Sequence, residues 1–166
     1  GAFDKDFAML YGDVSAARAR YTAACDSFCD IFSERDNIRL FSAPGRTEVG
    51  GNHTDHQHGC VLAGGVNLDV IAVVAPNNDG KARIKSEGYD MDTVDICKLE
   101  KDESEHGRAS ALIRGVLSRF KELGCTLSGF NAYTTSNVLK GSGLSSSAAF
   151  EVLVGNIVNG MFFEAK

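Results

Sequence analysis

No stretch of eighteen apolar residues, no secretory-type leader and no zinc-spaced set of cysteine and histidine pairs is read in this 166-residue chain. The first two absences lead to the expectation of a cytoplasmic protein with no membrane partner. The third leaves Cys25, Cys29, Cys60, Cys97 and Cys125 scattered and odd in number, which suits reduced, structural thiols better than disulfides or a metal centre. Positive charge is also scarce. A net charge of −5 argues against a general binder of nucleic acid or anionic membrane, and no nucleic-acid partner is expected. There is no internal repeat and no linker, and the length suits one domain with a real core.

What is present is organised around Gly141-Ser142-Gly143-Leu144-Ser145-Ser146-Ser147-Ala148-Ala149, which leads into an apolar segment ending near Phe163. Ala149, Leu153, Ile157 and Met161 recur every fourth residue, with Ala148 and Val152 widening the stripe, so a helix is predicted. A helix start presents unpaired N–H groups and the positive end of the macrodipole, and glycines before it let a phosphate come close. The alternative is a serine N-cap serving only the helix, although three serines exceed what one cap needs. The stretch is neither a Walker A loop, which has Lys after its last Gly, nor a dinucleotide fingerprint.

Along the chain, Val14 to Phe32 reads as a helix with Tyr21, Ala24, Cys25, Phe28, Ile31 and Phe32 on one face. Ile38 to Ala43 reads as a strand ended by Pro44-Gly45, and Val66 to Ala75 as another. A turn at Pro76 to Gly80 then predicts a hairpin with Ala82 to Ser86. Met91 to Ile96 is a further candidate strand, and Glu100 to Glu103 a solvated charge run. Ala109 to Leu123 is predicted as an amphipathic helix capped by Gly124, and Gly129 to Ser136 as an edge or half-buried strand. The irregular alternation implies an α+β fold, with helices packed on a mixed or antiparallel sheet.

Between Gly45 and Gly65 a long polar loop is expected, crowded with Arg46, Glu48, Asn52, His53, Thr54, Asp55, His56 and His58. It reads either as a polar surface loop or as a binding loop. The three histidines match no known zinc spacing. So many donors and acceptors on tight backbone suit a polyhydroxylated ligand, whose hydroxyls are costly to leave unpaired.

Gly45-Arg46, Gly51, His53-Thr54-Asp55, Gly59 and Val61-Leu62 resemble the galactokinase signature, commonly written GRxNxxGEHxDYxxGxVLP. Gly141 to Ala148 resembles the ATP-binding motif shared by the GHMP small-molecule kinases. Both motifs occur in order, about ninety residues apart. Glu48 stands for the usual Asn, Asn52 for Glu, His56 for Tyr and Ala63 for Pro, and Leu139-Lys140 replaces the proline usual before the glycines.

The resemblance implies a GHMP-kinase N-terminal domain (ribosomal protein S5 domain 2-like) over residues 1–166, incomplete because known galactokinases are much longer. It implies transfer of the ATP γ-phosphoryl group to the anomeric hydroxyl of galactose, with Mg²⁺. Arg46 would stabilise charge on the phosphoryl group. Arg46, Asn52, His53, Thr54 and Asp55 would bind sugar. Gly141, Ser142, Gly143, Leu144, Ser145, Ser146 and Ser147 would cradle ATP, with Ser146 or Ser147 on the metal. The catalytic Asp would lie beyond this chain, leaving it inactive alone and prone to self-association through its last helix. A kinase of galacturonate, arabinose or N-acetylgalactosamine, or a non-catalytic sugar and nucleotide sensor, remains an alternative.

Overall fold

The computed structural model describes residues 1–51, 59–138 and 143–163. Its elements run α1 (Asp4–Tyr11), α2 (Val14–Phe32), β1 (Arg39–Gly50), β2 (Leu62–Asn77), β3 (Lys81–Ser86), β4 (Met91–Asp95), α3 (Ala109–Glu122), β5 (Gly129–Ser136) and α4 (Ser146–Val158). A 3₁₀ turn lies at Glu103–Glu105, and a π-helical turn, Asn159–Phe163, extends α4. The five strands form one mixed sheet in the order β1-β2-β5-β3-β4, with only β3 and β5 parallel.

The inner position of β2 explains why its sequence reads as an unbroken apolar run. Successive side chains alternate between faces, and both faces are covered. Ile71, Val73 and Ala75 pack against Phe7 of α1 and Tyr21, Ala24 and Phe28 of α2. Val70, Ala72 and Val74 point the other way, to Ile113 and Leu117 of α3 and Leu153, Val154, Ile157 and Val158 of α4. The result is a three-layer arrangement, helix pair on sheet on helix pair.

Helix α2 has the predicted bounds. Asp13 caps it, its side chain accepting from the Ala16 amide at 2.9 Å, and Ser33 ends it in the left-handed region. Helix α3 and strands β4 and β5 also lie close to where the sequence puts them.

Four expectations are corrected. Pro44-Gly45 does not end β1, which continues to Gly50. This strand lies at the sheet edge, where a proline's missing N–H is tolerated, and the register shifts between Pro44 and Arg46. The expected loop is therefore shorter, its outer parts belonging to β1 and β2. Second, β2 and β3 are not hairpin partners, because β5 inserts between them. The amide of Asn77 bonds to the Lys81 carbonyl at 3.0 Å and to Asn131 at 2.9 Å, holding the turn over the start of β5. Third, β5 is an inner strand, with Phe130 and Ala132 fully buried. Last, the stripe of α4 is completed by Val154 and Val158, while Val152 is 53% exposed. Helix α1 is an element the sequence reading missed; Phe7 stacks on Tyr21 with ring centroids 5.0 Å apart.

Residues Ser146–Phe163 form one continuous helix long and apolar enough, by length and composition, to cross a membrane. Here that helix packs on β1, β2 and α3 as a core element, which is where its apolarity is used.

Candidate active site

The two unusual stretches meet. Gly45 sits in the first register shift of β1 with Arg46 just past it, and the backbone N–H of Arg46 donates to the Leu144 carbonyl at 3.2 Å. Gly45 is buried at this junction. A β-carbon on it would stand 3.1 Å from Val138 and 3.2 Å from the Leu144 oxygen, so a larger residue would push the two segments apart by a few tenths of an ångström. The Arg46 guanidinium is 46% exposed and lies 3.5 Å from the Glu48 carboxylate.

At the head of α4, Gly143 takes φ +76° and Ser145 φ +56°. Ser145 occupies the N-cap position without a side-chain capping hydrogen bond. A serine does stand at the N-cap, as one of the two readings has it, but without a side-chain cap its position leaves first-turn amides for another acceptor. Ser146 is half-buried and Ser147 exposed, both in the first turn of the helix. The Arg46 backbone and the head of α4 are thus adjacent at Leu144.

Gly51 closes the base of the neighbouring loop. Its φ is +108°, and a β-carbon there would stand 2.6 Å from the Cys60 carbonyl and 2.8 Å from Val61 Cα. The chain thus leaves β1 and returns to β2 through a pinched neck that only glycine permits. Asn52, His53, Thr54 and Asp55, with His56 and His58, lie outside the described residues, as do Gly141 and Ser142.

No group of three or more His, Cys, Asp or Glu among the described residues could hold a metal. The hydroxyls of Ser146 and Ser147 fit an ion held mainly by phosphate oxygens and water, as Mg²⁺ commonly is.

Behind β1 the sheet contains a polar cluster that the sequence reading did not anticipate. Asp69 of β2 is only 4% exposed. Its carboxylate accepts from the Tyr11 and Ser42 hydroxyls, each at 2.5 Å, and from Arg20. Its carbonyl accepts from Arg20 Nη2 and from the Asn137 amide, both at 3.0 Å. Burial and the bond to Asp69 push the Tyr11 phenol well above its ordinary pKa. The one signal for this cluster was a lone carboxylate inside the apolar run from Val66 to Ala75.

A glycine turn opening α4, an edge-strand arginine beside it and a mixed sheet between helix pairs define the N-terminal domain of a GHMP small-molecule kinase. The GHMP kinases N terminal domain matches residues 111–165, and the galactokinase galactose-binding signature matches residues 26–76. The chain belongs to the galactokinase family.

It is 33% identical to the galactokinase of Bacillus subtilis strain 168 over 138 residues, covering 81% of this chain and 35% of that protein. To the Lactobacillus helveticus galactokinase it is 38% identical over 128 residues, covering 74% of this chain and 32% of that protein. The crystal structure of Lactococcus lactis galactokinase complexed with galactose superposes with a TM-score of 0.76 at 26% identity, covering 84% of this chain and 36% of that one. Methanococcus jannaschii mevalonate kinase shares the fold, with a TM-score of 0.64 at 12% identity over 80% of this chain and 43% of that one. The chain spans about a third of the length of the curated relatives it matches.

Proposed function

We propose that this chain supplies the sugar-binding and phosphate-binding elements of an enzyme that phosphorylates D-galactose at its anomeric hydroxyl, using ATP and Mg²⁺. The observation carrying this reading is the hydrogen bond from Arg46 to Leu144, which joins the sugar signature to the glycine-serine loop. In the reaction the anomeric oxygen attacks the γ-phosphorus, the bond to the ADP oxygen breaks, and the hydroxyl proton leaves to a base. Such a transfer depends on placement and charge neutralisation more than on covalent chemistry.

Arg46 supplies a fixed positive charge to the phosphoryl oxygens. Gly141, Ser142, Gly143, Leu144 and Ser145 wrap the phosphates, and the first-turn amides of α4 donate to them. Mg²⁺ neutralises phosphate charge when bound, and Ser146 or Ser147 would be its contacts on this chain. Asn52, His53, Thr54 and Asp55 pair with sugar hydroxyls, Asp55 through charge-assisted bonds. Asn52, where the family signature usually has Glu, pairs with the group at C6 as an amide.

The base that takes the proton is supplied from outside this chain, so the 166 residues bind both substrates but do not turn over. With Val152 and Phe163 on its open side, 53% and 38% exposed, the α4 layer self-associates when alone. A cytoplasmic setting goes with small soluble substrates of this kind.

The experiment is ³¹P NMR of the complete reading frame with MgATP and a panel of D-galactose, 6-deoxygalactose, galacturonate and N-acetylgalactosamine. Galactose 1-phosphate formed fastest from galactose supports the reading. Preferred phosphorylation of another sugar in the panel overturns the substrate assignment, and no sugar phosphate at all favours a sensor.

A further inference from the structure

We propose that Asp69 and Arg20 are positioning residues that lock the sugar-signature strand and the lead into the glycine-serine loop in mutual register, an inference that rests on the site reading above. Asp69 touches every segment concerned. It stands opposite Pro44, immediately before Gly45-Arg46, in the β1–β2 register. Its carbonyl receives the Asn137 amide, next to Val138, which contacts Gly45. Its carboxylate receives Ser42 of β1 and Tyr11 of α1.

Arg20 then grips both ends of this residue, Nη1 on the carboxylate and Nη2 on the carbonyl. The two side chains are 5% and 17% exposed. One face of Tyr21 completes the cluster, its hydroxyl 2.9 Å from that of Tyr11.

Fold stability alone does not account for the arrangement. A largely buried ion pair between helix and sheet costs desolvation that apolar residues of like volume would avoid, and such replacements are often neutral or stabilising. Among the described residues the buried Arg20 Nε has no hydrogen-bond partner, so the guanidinium is seated for its Nη contacts at a further penalty. What the pair gives in return is geometry: one rigid residue from which both motif-bearing segments depart. Arg20 and Tyr11 lie outside the two matched stretches, so the N-terminal helices join the site's support.

The test compares the unmodified chain with Asp69→Asn, Arg20→Lys and Phe28→Leu. The last removes packing from the same layer without touching the clamp. Amide exchange is followed by NMR at Arg46 and Asn137, relative to Val73 in the middle of β2, at a temperature where all four proteins are folded. Affinity for the Mg²⁺ complex of a non-hydrolysable ATP analogue is measured on the same samples.

Asp69→Asn and Arg20→Lys are expected to speed exchange at Arg46 and Asn137 about tenfold or more relative to Val73, the factor set by losing one charge-assisted hydrogen bond. They should also weaken analogue binding. Phe28→Leu should lower Tm and leave both ratios unchanged. Unchanged ratios in Asp69→Asn, or equal changes in Phe28→Leu, overturn the inference. An unmodified chain that fails to bind the analogue counts against the nucleotide reading, while the exchange ratios still decide the clamp.

Discussion

At the scale of single residues, two glycines separate steric from conformational demands. Gly45→Ala needs Val138 and Leu144 to retreat by a few tenths of an ångström, since the added carbon would meet them at 3.1 and 3.2 Å. We expect a loss of about 1–3 kcal/mol in stability, as for other overpacked sites, read by urea unfolding, and weaker nucleotide binding. Gly51→Ala meets backbone at 2.6 Å and also needs a positive φ. Its neck should open, so galactose affinity falls severely by calorimetry while nucleotide affinity changes little; equal losses of both would contradict the assignment of this loop to sugar. Gly143 differs from both. Among the described residues no atom lies within 4 Å of its would-be β-carbon, so a larger residue there acts through the strained φ of +76° and through blocking the ligand.

At the scale of elements, helix α4 and the turn before α3 make contrasting predictions. Leu153 is fully buried between the sheet and α3. Leu153→Ala should cost about 2–5 kcal/mol by thermal or urea unfolding. The 3₁₀ turn is held instead by charge: Glu105 receives Arg114 Nε and Nη2, both at 2.8 Å. That pairing pulls the Glu105 carboxyl below its ordinary pKa. A depressed folded-state pKa means the stability is present above the unfolded value and is lost as pH falls through the folded one. Glu105→Gln should therefore lower stability by about 1 kcal/mol at neutral pH, with the gap to the unmodified protein closing in acid. A gap independent of pH would show that the pair contributes nothing through charge. Elements with clear caps or periodicity, α2 and α3, were legible from the sequence because local chemistry decides them. The partner of β3 was not. A tight turn after β2 signals a hairpin, and only the later docking of β5 against Asn77 forbids it. Likewise Pro44-Gly45 punctuates most strands, but an edge position with a bulge absorbs it.

At the scale of the whole molecule, both signatures were readable as strings, and the layered α+β fold followed from periodicity. Their physical junction was not readable, since the contact from Arg46 to Leu144 spans about a hundred residues and depends on the sheet order. Asp69 was equally hidden. A single acid in an apolar strand announces an exception, but its partners come from α1, α2, β1 and the residue just after β5. The account's central claim is that the sugar signature and the glycine-serine loop form one site. It is tested most directly by NMR titration of the chain, following the Arg46 amide while galactose and the Mg²⁺ complex of a non-hydrolysable ATP analogue are added separately. The account predicts that both ligands shift this resonance, the analogue together with the Ser146 and Ser147 amides. An Arg46 amide that responds to neither ligand, while either binds elsewhere on the chain, would contradict it.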